Sequence, residues 1–143
     1  MSITTWLIAI DGSMPSLKAV DHVIHEATNR LSKPQIFLVN VQSPLSSDIT
    51  RFIDGKVVED YHREAGDTAL AAAKEKLASA GLVYSAHILV GEAAPTIVDF
   101  ATNKNCSMIF MGSHGFGSVV GLLMGSIATK VVHLSPVPVL LVK

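Results

Sequence analysis

Ser107-Met108-Ile109-Phe110-Met111-Gly112-Ser113-His114-Gly115 decides how this chain is read, because a strand-length apolar run passes without a break into a glycine loop. A short apolar run bounded by small and polar residues is the pattern of a strand buried on both faces of a parallel sheet. Nine residues beyond Gly115 come Gly125 and Ser126, and helical spacing begins there. Glycine lacks a Cβ and tolerates positive φ, so such a loop can turn successive backbone N–H groups into one concavity. A helix starting near Ser126 adds unpaired donors and the positive end of its dipole. The segment reads as strand, anion-holding loop and helix.

Working outward, the same alternation fills the chain. Trp6-Leu7-Ile8-Ala9-Ile10 is an apolar run closed by Asp11-Gly12-Ser13, and a helix is predicted over residues 15–31, with Leu17, Val20, Val23, Ile24, Ala27 and Leu31 on one face. Ile36-Phe37-Leu38-Val39-Asn40-Val41 is a second buried strand. Residues 42–57 show no period and carry Pro44 and the Asp54-Gly55 pair, which predicts a loop of unusual length, suited to act as a cover. A helix follows over residues 58–80, stopped by Gly81. Residues 83–90 alternate as a strand near a sheet edge does, and a helix over 94–104 leads into the strand at 107–111. A helix over 126–134 and the strand Val137-Pro138-Val139-Leu140-Leu141-Val142 complete the chain. Pro138 cannot donate to a ladder and suits an edge. Strands alternating with helices imply an α/β fold, one parallel sheet of five strands with helices on both faces, and a single domain over residues 1–143.

Composition narrows the function. The 143 residues are 49% hydrophobic and 16% charged, enough for a sizeable core. A formal net charge of −1, with 11 basic and 12 acidic residues in no run of either sign, gives no electrostatic footprint for nucleic acid or an anionic membrane. The stretch from Cys106 to Thr129 holds no charged side chain and is long enough to span a bilayer, but Gly112, Gly115, Gly117, Gly121 and Gly125 interrupt it, and membrane insertion is rejected. Cys106 is the one cysteine, and residues 1–5 lack the basic and apolar pattern of a secretion signal, so a cytoplasmic location is expected. His22 and His25 share a helix face without a third ligand, which reads as surface, and Cys106 beside a buried strand reads as packing.

Chemistry is expected beyond the C-terminal ends of the strands, where open parallel sheets hold ligands. Asp11 after the first strand and Gly112 after the fourth are the candidates, a carboxylate for hydroxyl or amine groups beside amides for phosphate. Asp11 also suits a helix cap, a role for which Ser13 competes. The loop lacks the Lys-Ser/Thr of a Walker A motif, and residues 105–129 carry no cation, so phosphate would rest on backbone amides, on the hydroxyls of Ser113, Ser118 and Ser126, on helix dipoles, or on a metal ion. His114 reads equally as a phosphate contact or a solvent-facing ring. The apolar run from Val119 through Met124 either covers the phosphates or touches a partner. With no positioned Lys, Arg or base, binding is favoured over turnover.

These residues carry a resemblance. Ala9-Ile10-Asp11-Gly12-Ser13, Val41 after Asn40, and the Gly-x2-Gly-x9-Gly-Ser pattern of Gly112, Gly115, Gly125 and Ser126 resemble the small, single-domain, ATP-binding type of universal stress protein over essentially the full length. The resemblance implies a Rossmann-like strand order 3-2-1-4-5 and a homodimer through the last strand. It implies ATP, with adenine and ribose near Asp11 and the Val41 backbone and phosphates at Gly112, Gly115, Gly125 and Ser126. Ala9, Ile10, Met111, Ser113, His114 and Ile127 complete the expected binding site, and Mg²⁺ is expected to bridge the phosphate oxygens. The function implied is a nucleotide-responsive stress or regulatory module. The rivals are a slow ATPase or a phosphoryl or nucleotidyl transferase in the same pocket, and an interaction dimer with an empty crevice.

Overall fold

Alternate residues of a strand point to opposite faces, and the first strand divides its side chains accordingly. Trp6, Ile8 and Ile10 enter one core with Val20, Val23, Leu70, Leu77 and Phe110, while Leu7 and Ala9 enter a second with Val39, Ile97, Ile109, Met111 and Val131. Both faces of the sheet are therefore apolar, which is why the runs read as continuous hydrophobic stretches. Leu7, Ile8, Ile36, Leu38 and Ile109 are all 0% exposed, each worth about 1.5–3 kcal/mol of burial.

The computed structural model describes residues 3–116 and 124–143. Its elements run β1 (Thr5–Ala9), α1 (Met14–Thr28), β2 (Gln35–Gln42), α2 (Ser47–Thr50), α3 (Gly55–Ser79), β3 (Tyr84–Val90), α4 (Ala93–Asn103), β4 (Met108–Gly112), α5 (Ser126–Leu134) and β5 (Val139–Val142). The five-stranded sheet has the order β3-β2-β1-β4-β5, with every pairing parallel. α1 and α3 cover one face, α4 and α5 the other. Among the described residues, no helix is long and apolar enough to cross a membrane.

Two differences from the sequence expectation have local causes. The stretch expected as loop contains the one-turn helix α2, capped by the Ser46 hydroxyl, which accepts from the N–H of Ile49 at 3.3 Å. Asp54 caps α3 by accepting from the N–H of Lys56 at 3.1 Å, so Asp54-Gly55 starts a helix where a turn was expected. α1 ends at Thr28, before Leu31, which is fully exposed. Gly81 takes the left-handed conformation (φ 72°) that stops α3, as its position predicts. Gly117, Ser118 and the run from Val119 through Leu123 lie outside the described residues.

Candidate functional site

β1 and β4 are neighbours, with Trp6 paired to Met108 and Ile8 to Phe110, and the strand order reverses between them. The helices that follow them lie on opposite faces, α1 on one and α5 on the other, which opens a crevice above the strand ends. A cleft of about 680 Å³, open mouth included, lies there. Of the residues expected at the site, Ala9, Ile10, Asp11, Val41, Met111, Gly112, His114, Gly115, Gly125, Ser126 and Ile127 all line it.

One wall is apolar. Ala9, Val39, Val41, Ile97 and Met111 form it, from β1, β2, α4 and β4. The ladder explains why Val41 matters: the N–H of Gln35 donates to Thr4 and the carbonyl of Val39 accepts from Ile10 at 2.9 Å, so odd-numbered residues of β2 face β1. β1 has ended before it can meet Val41, whose main-chain N–H and C=O therefore point to the cleft side. Asn40 seals the other side of this corner, donating its Nδ2–H to the Ile10 carbonyl at 2.8 Å.

The opposite wall is the start of α5. Its N-cap is Gly125, which brings no side-chain acceptor, so the first-turn N–H groups of Ser126, Ile127 and Ala128 sit uncapped at the cleft with the positive end of the helix dipole. The hydroxyl of Thr129 donates back to the Gly125 carbonyl at 2.9 Å and steadies the turn. The described lining contains no Lys or Arg.

Ser113 does not line the cleft, which corrects the expectation for it. It is 3% exposed, its N–H donates to the Val142 carbonyl at 2.8 Å, and its own carbonyl accepts the N–H of Gly125 at 2.7 Å. Its hydroxyl lies 3.0 Å from His114 Nδ1. Ser113 thus ties the ends of β4 and β5 to the start of α5. Neither its amide nor that of Gly125 is available to a phosphate.

Two of the glycines answer to contacts within the protein. A Cβ on Gly112 would lie 2.7 Å from the Pro15 carbonyl carbon, so the first turn of α1 requires its absence. A Cβ on Gly115 would strike Oδ2 of Asp11. The Asp11 carboxylate accepts from the N–H of Ser13 at 2.8 Å and from the N–H of Phe116 at 3.2 Å, and the α1 cap is Ser13, not Asp11.

Sequence reading missed Ser16, Val39, Ala93, Ile97, Phe116 and Ala128 in the lining. Val39 carried a signal, lying two residues before Val41 on the same strand face. Ala93 and Ile97, one turn apart on α4, carried none without knowing that α4 covers this end. Residues 42–57, expected as a cover, contribute nothing to this cleft; Pro44, Leu45 and Thr50 instead line a separate hollow against α3 and β3. His22 pairs with Glu26 at 3.7 Å, and the described residues hold no group of three or more His, Cys, Asp or Glu fit for a metal. Cys106 is buried and its thiol is pushed up to about 11 by desolvation.

A parallel sheet that reverses its strand order beneath a cleft defines a doubly wound α/β domain, with the cleft where sheets of this class hold ligands. The chain belongs to the universal stress protein family, whose model matches residues 3–143. It is 33% identical to the universal stress protein YxiE of Bacillus subtilis over 145 aligned positions, covering 96% of this chain and 97% of that one. Among solved structures it is similar to protein MJ0577 of Methanocaldococcus jannaschii, at a TM-score of 0.85 and 26% identity, covering 100% of this chain and 97% of the other. A universal stress protein from Archaeoglobus fulgidus in complex with dAMP shares the fold, at a TM-score of 0.68 and 23% identity, covering 99% of this chain and 98% of the other.

Proposed function

We propose that this chain binds an adenine nucleotide, ATP in particular, in the cleft above β1 and β4, and that the bound nucleotide makes it a responsive stress or regulatory module. The observation that carries the reading is the pairing of an apolar wall ending at the outward main chain of Val41 with an uncapped helix start at Ser126 and Ile127. A purine needs a flat apolar slot with main-chain donors and acceptors at its rim, and a phosphate needs convergent N–H groups. The relative solved with dAMP, a universal stress protein solved with cAMP and an Arabidopsis thaliana member solved with AMP support the ligand class.

Binding is favoured over turnover. Phosphoryl transfer relies on positioned cations, and the described lining offers neither Lys nor Arg. Mg²⁺ has one carboxylate to meet there, Asp11, and both its oxygens already accept amide protons. A divalent ion arriving with ATP would be held by phosphate oxygens and water.

The test is thermal unfolding with and without ligand. At a concentration about a hundredfold above Kd, a ligand selective for the native state adds about 2.7 kcal/mol. That raises the melting temperature of a domain this size by about 5–10 °C. ATP or AMP is expected to do so; an unchanged melting temperature at millimolar concentrations of both contradicts the proposal and favours the empty-crevice interaction module.

A further inference from the structure

We infer that the hollow between α3, β3 and residues 44–50 is a second binding site, one that takes a small apolar molecule carrying a hydroxyl group. It shares no lining residue with the cleft above β1 and β4, and it needs no nucleotide in that cleft. Its volume is about 950 Å³, open mouth included, and its walls are largely aliphatic, built from Pro44, Leu45, Val58, Ile88 and Val90. α3 and β3 touch at Gly66, where a Cβ would lie 2.6 Å from Cδ1 of Ile88. One helical turn earlier, on the same face of α3, stands His62, and there the space is open. α2 does not fill it, since none of that helix's residues is buried.

His62 is the residue that points to a ligand. It is 6% exposed, it lines the hollow, and its Nδ1 is buried without a hydrogen-bond partner among the described residues. A buried polar atom left unpaired is costly, and folded proteins pair nearly all of theirs. An apolar pocket with one or two polar groups to fix orientation is the usual make-up of a small-molecule site. A hydroxyl both donates and accepts, so it pairs with a ring nitrogen in either tautomer. Histidine χ2 has two broad settings, which lets the ring turn a nitrogen toward the hollow it lines. An ion is the poorer match. Glu59 and Arg63 line the hollow with opposite charges, both are exposed, and Arg63 already donates to Asp60 at 2.6 Å.

NMR titration of the full chain with p-cresol and with toluene decides it, read at the methyl groups of Val58, Ile88 and Val90 and at the His62 ring nitrogens. Toluene is the more apolar of the two, so burial alone favours it. p-Cresol is nevertheless expected to bind about tenfold more tightly, the scale of pairing a polar atom otherwise buried alone, and to move the His62 nitrogen signals where toluene leaves them in place. Equal or tighter binding of toluene overturns the proposal, as does a p-cresol response at millimolar concentration that misses these residues or centres on Val39 and Val41 in the other cleft. Those arms need no variant to fold. His62→Phe keeps a ring and removes both nitrogens, and it is expected to bring the two affinities within about twofold of each other. A tenfold preference retained in His62→Phe overturns the assignment of His62 as the group that reads the hydroxyl.

Discussion

Gly115 and Asp11 form a pair whose coupling is measurable. Gly115 has no left-handed φ, so among the described residues alanine there meets one obstacle, the carboxylate of Asp11. Gly115→Ala is expected to destabilise by about 1–3 kcal/mol, the usual scale of overpacking. The cost should fall by half or more in an Asp11→Ala background, where the obstacle is gone; equal costs in denaturant melts of both backgrounds would show that the contact is not what excludes the side chain. Gly112→Ala should cost about as much with no such rescue, since its obstacle is the Pro15 main chain. The glycine pattern was legible in the sequence, but its reason was not. Spacing suggested amides for phosphate, whereas Pro15 and Asp11 explain two of the positions through contacts that exist only once β1 and β4 lie side by side. Cys106 was legible throughout: a lone cysteine beside a buried strand packs, and with its thiol pushed up to about 11 it should resist thiol reagents at pH 8 until the protein unfolds.

At the scale of elements, period and punctuation located the helices and strands, and the misses concentrate where side-chain capping outweighs period. Residues 42–57 lack a hydrophobic repeat, yet Ser46 and Asp54 start two helices there, because a cap needs one side-chain oxygen and no periodicity. β3 read as an edge from its alternation, and it is one, half-exposed over most of its length. His87 on this strand packs against Phe100 and Phe37, with ring centroids 4.9 and 5.6 Å away, and its Nε2 lies 3.0 Å from the Ser85 hydroxyl. Desolvation first, and the charge of Lys104 second, lower its pKa. A histidine whose folded pKa lies below its unfolded value near 6.5 takes up a proton more readily when unfolded. Its contribution is intact above about pH 6.5 and is lost as the pH falls below that. Melting temperatures at pH 7.5 and 5.5 should therefore differ less in His87→Gln than in wild type; an equal drop in both would remove His87 from the acid response.

The whole molecule shows what the chain alone could not supply. Alternation gave a parallel α/β sheet, but the order β3-β2-β1-β4-β5 came with the family resemblance, because spacing does not say which strands pair. That order makes the cleft, and it also leaves β5 at an edge with all its residues only half-buried. Ile109 donates to Pro138 and Ser113 to Val142, so even-numbered residues of β5 face β4 while Val139 and Leu141 present N–H and C=O outward. We propose that a second copy pairs there. Sedimentation should give twice the chain mass, and Val139→Pro, which deletes an outward N–H and leaves the β4 ladder intact, should give the chain mass; a wild-type monomer would contradict the pairing. The claim on which the rest depends is the seat of the nucleotide, and a crystal structure grown with saturating ATP and Mg²⁺ tests it most directly. The account predicts the purine against Val39 and Val41 with phosphate oxygens on the N–H groups of Ser126 and Ile127. Nucleotide bound elsewhere, or a cleft left to water, would contradict it.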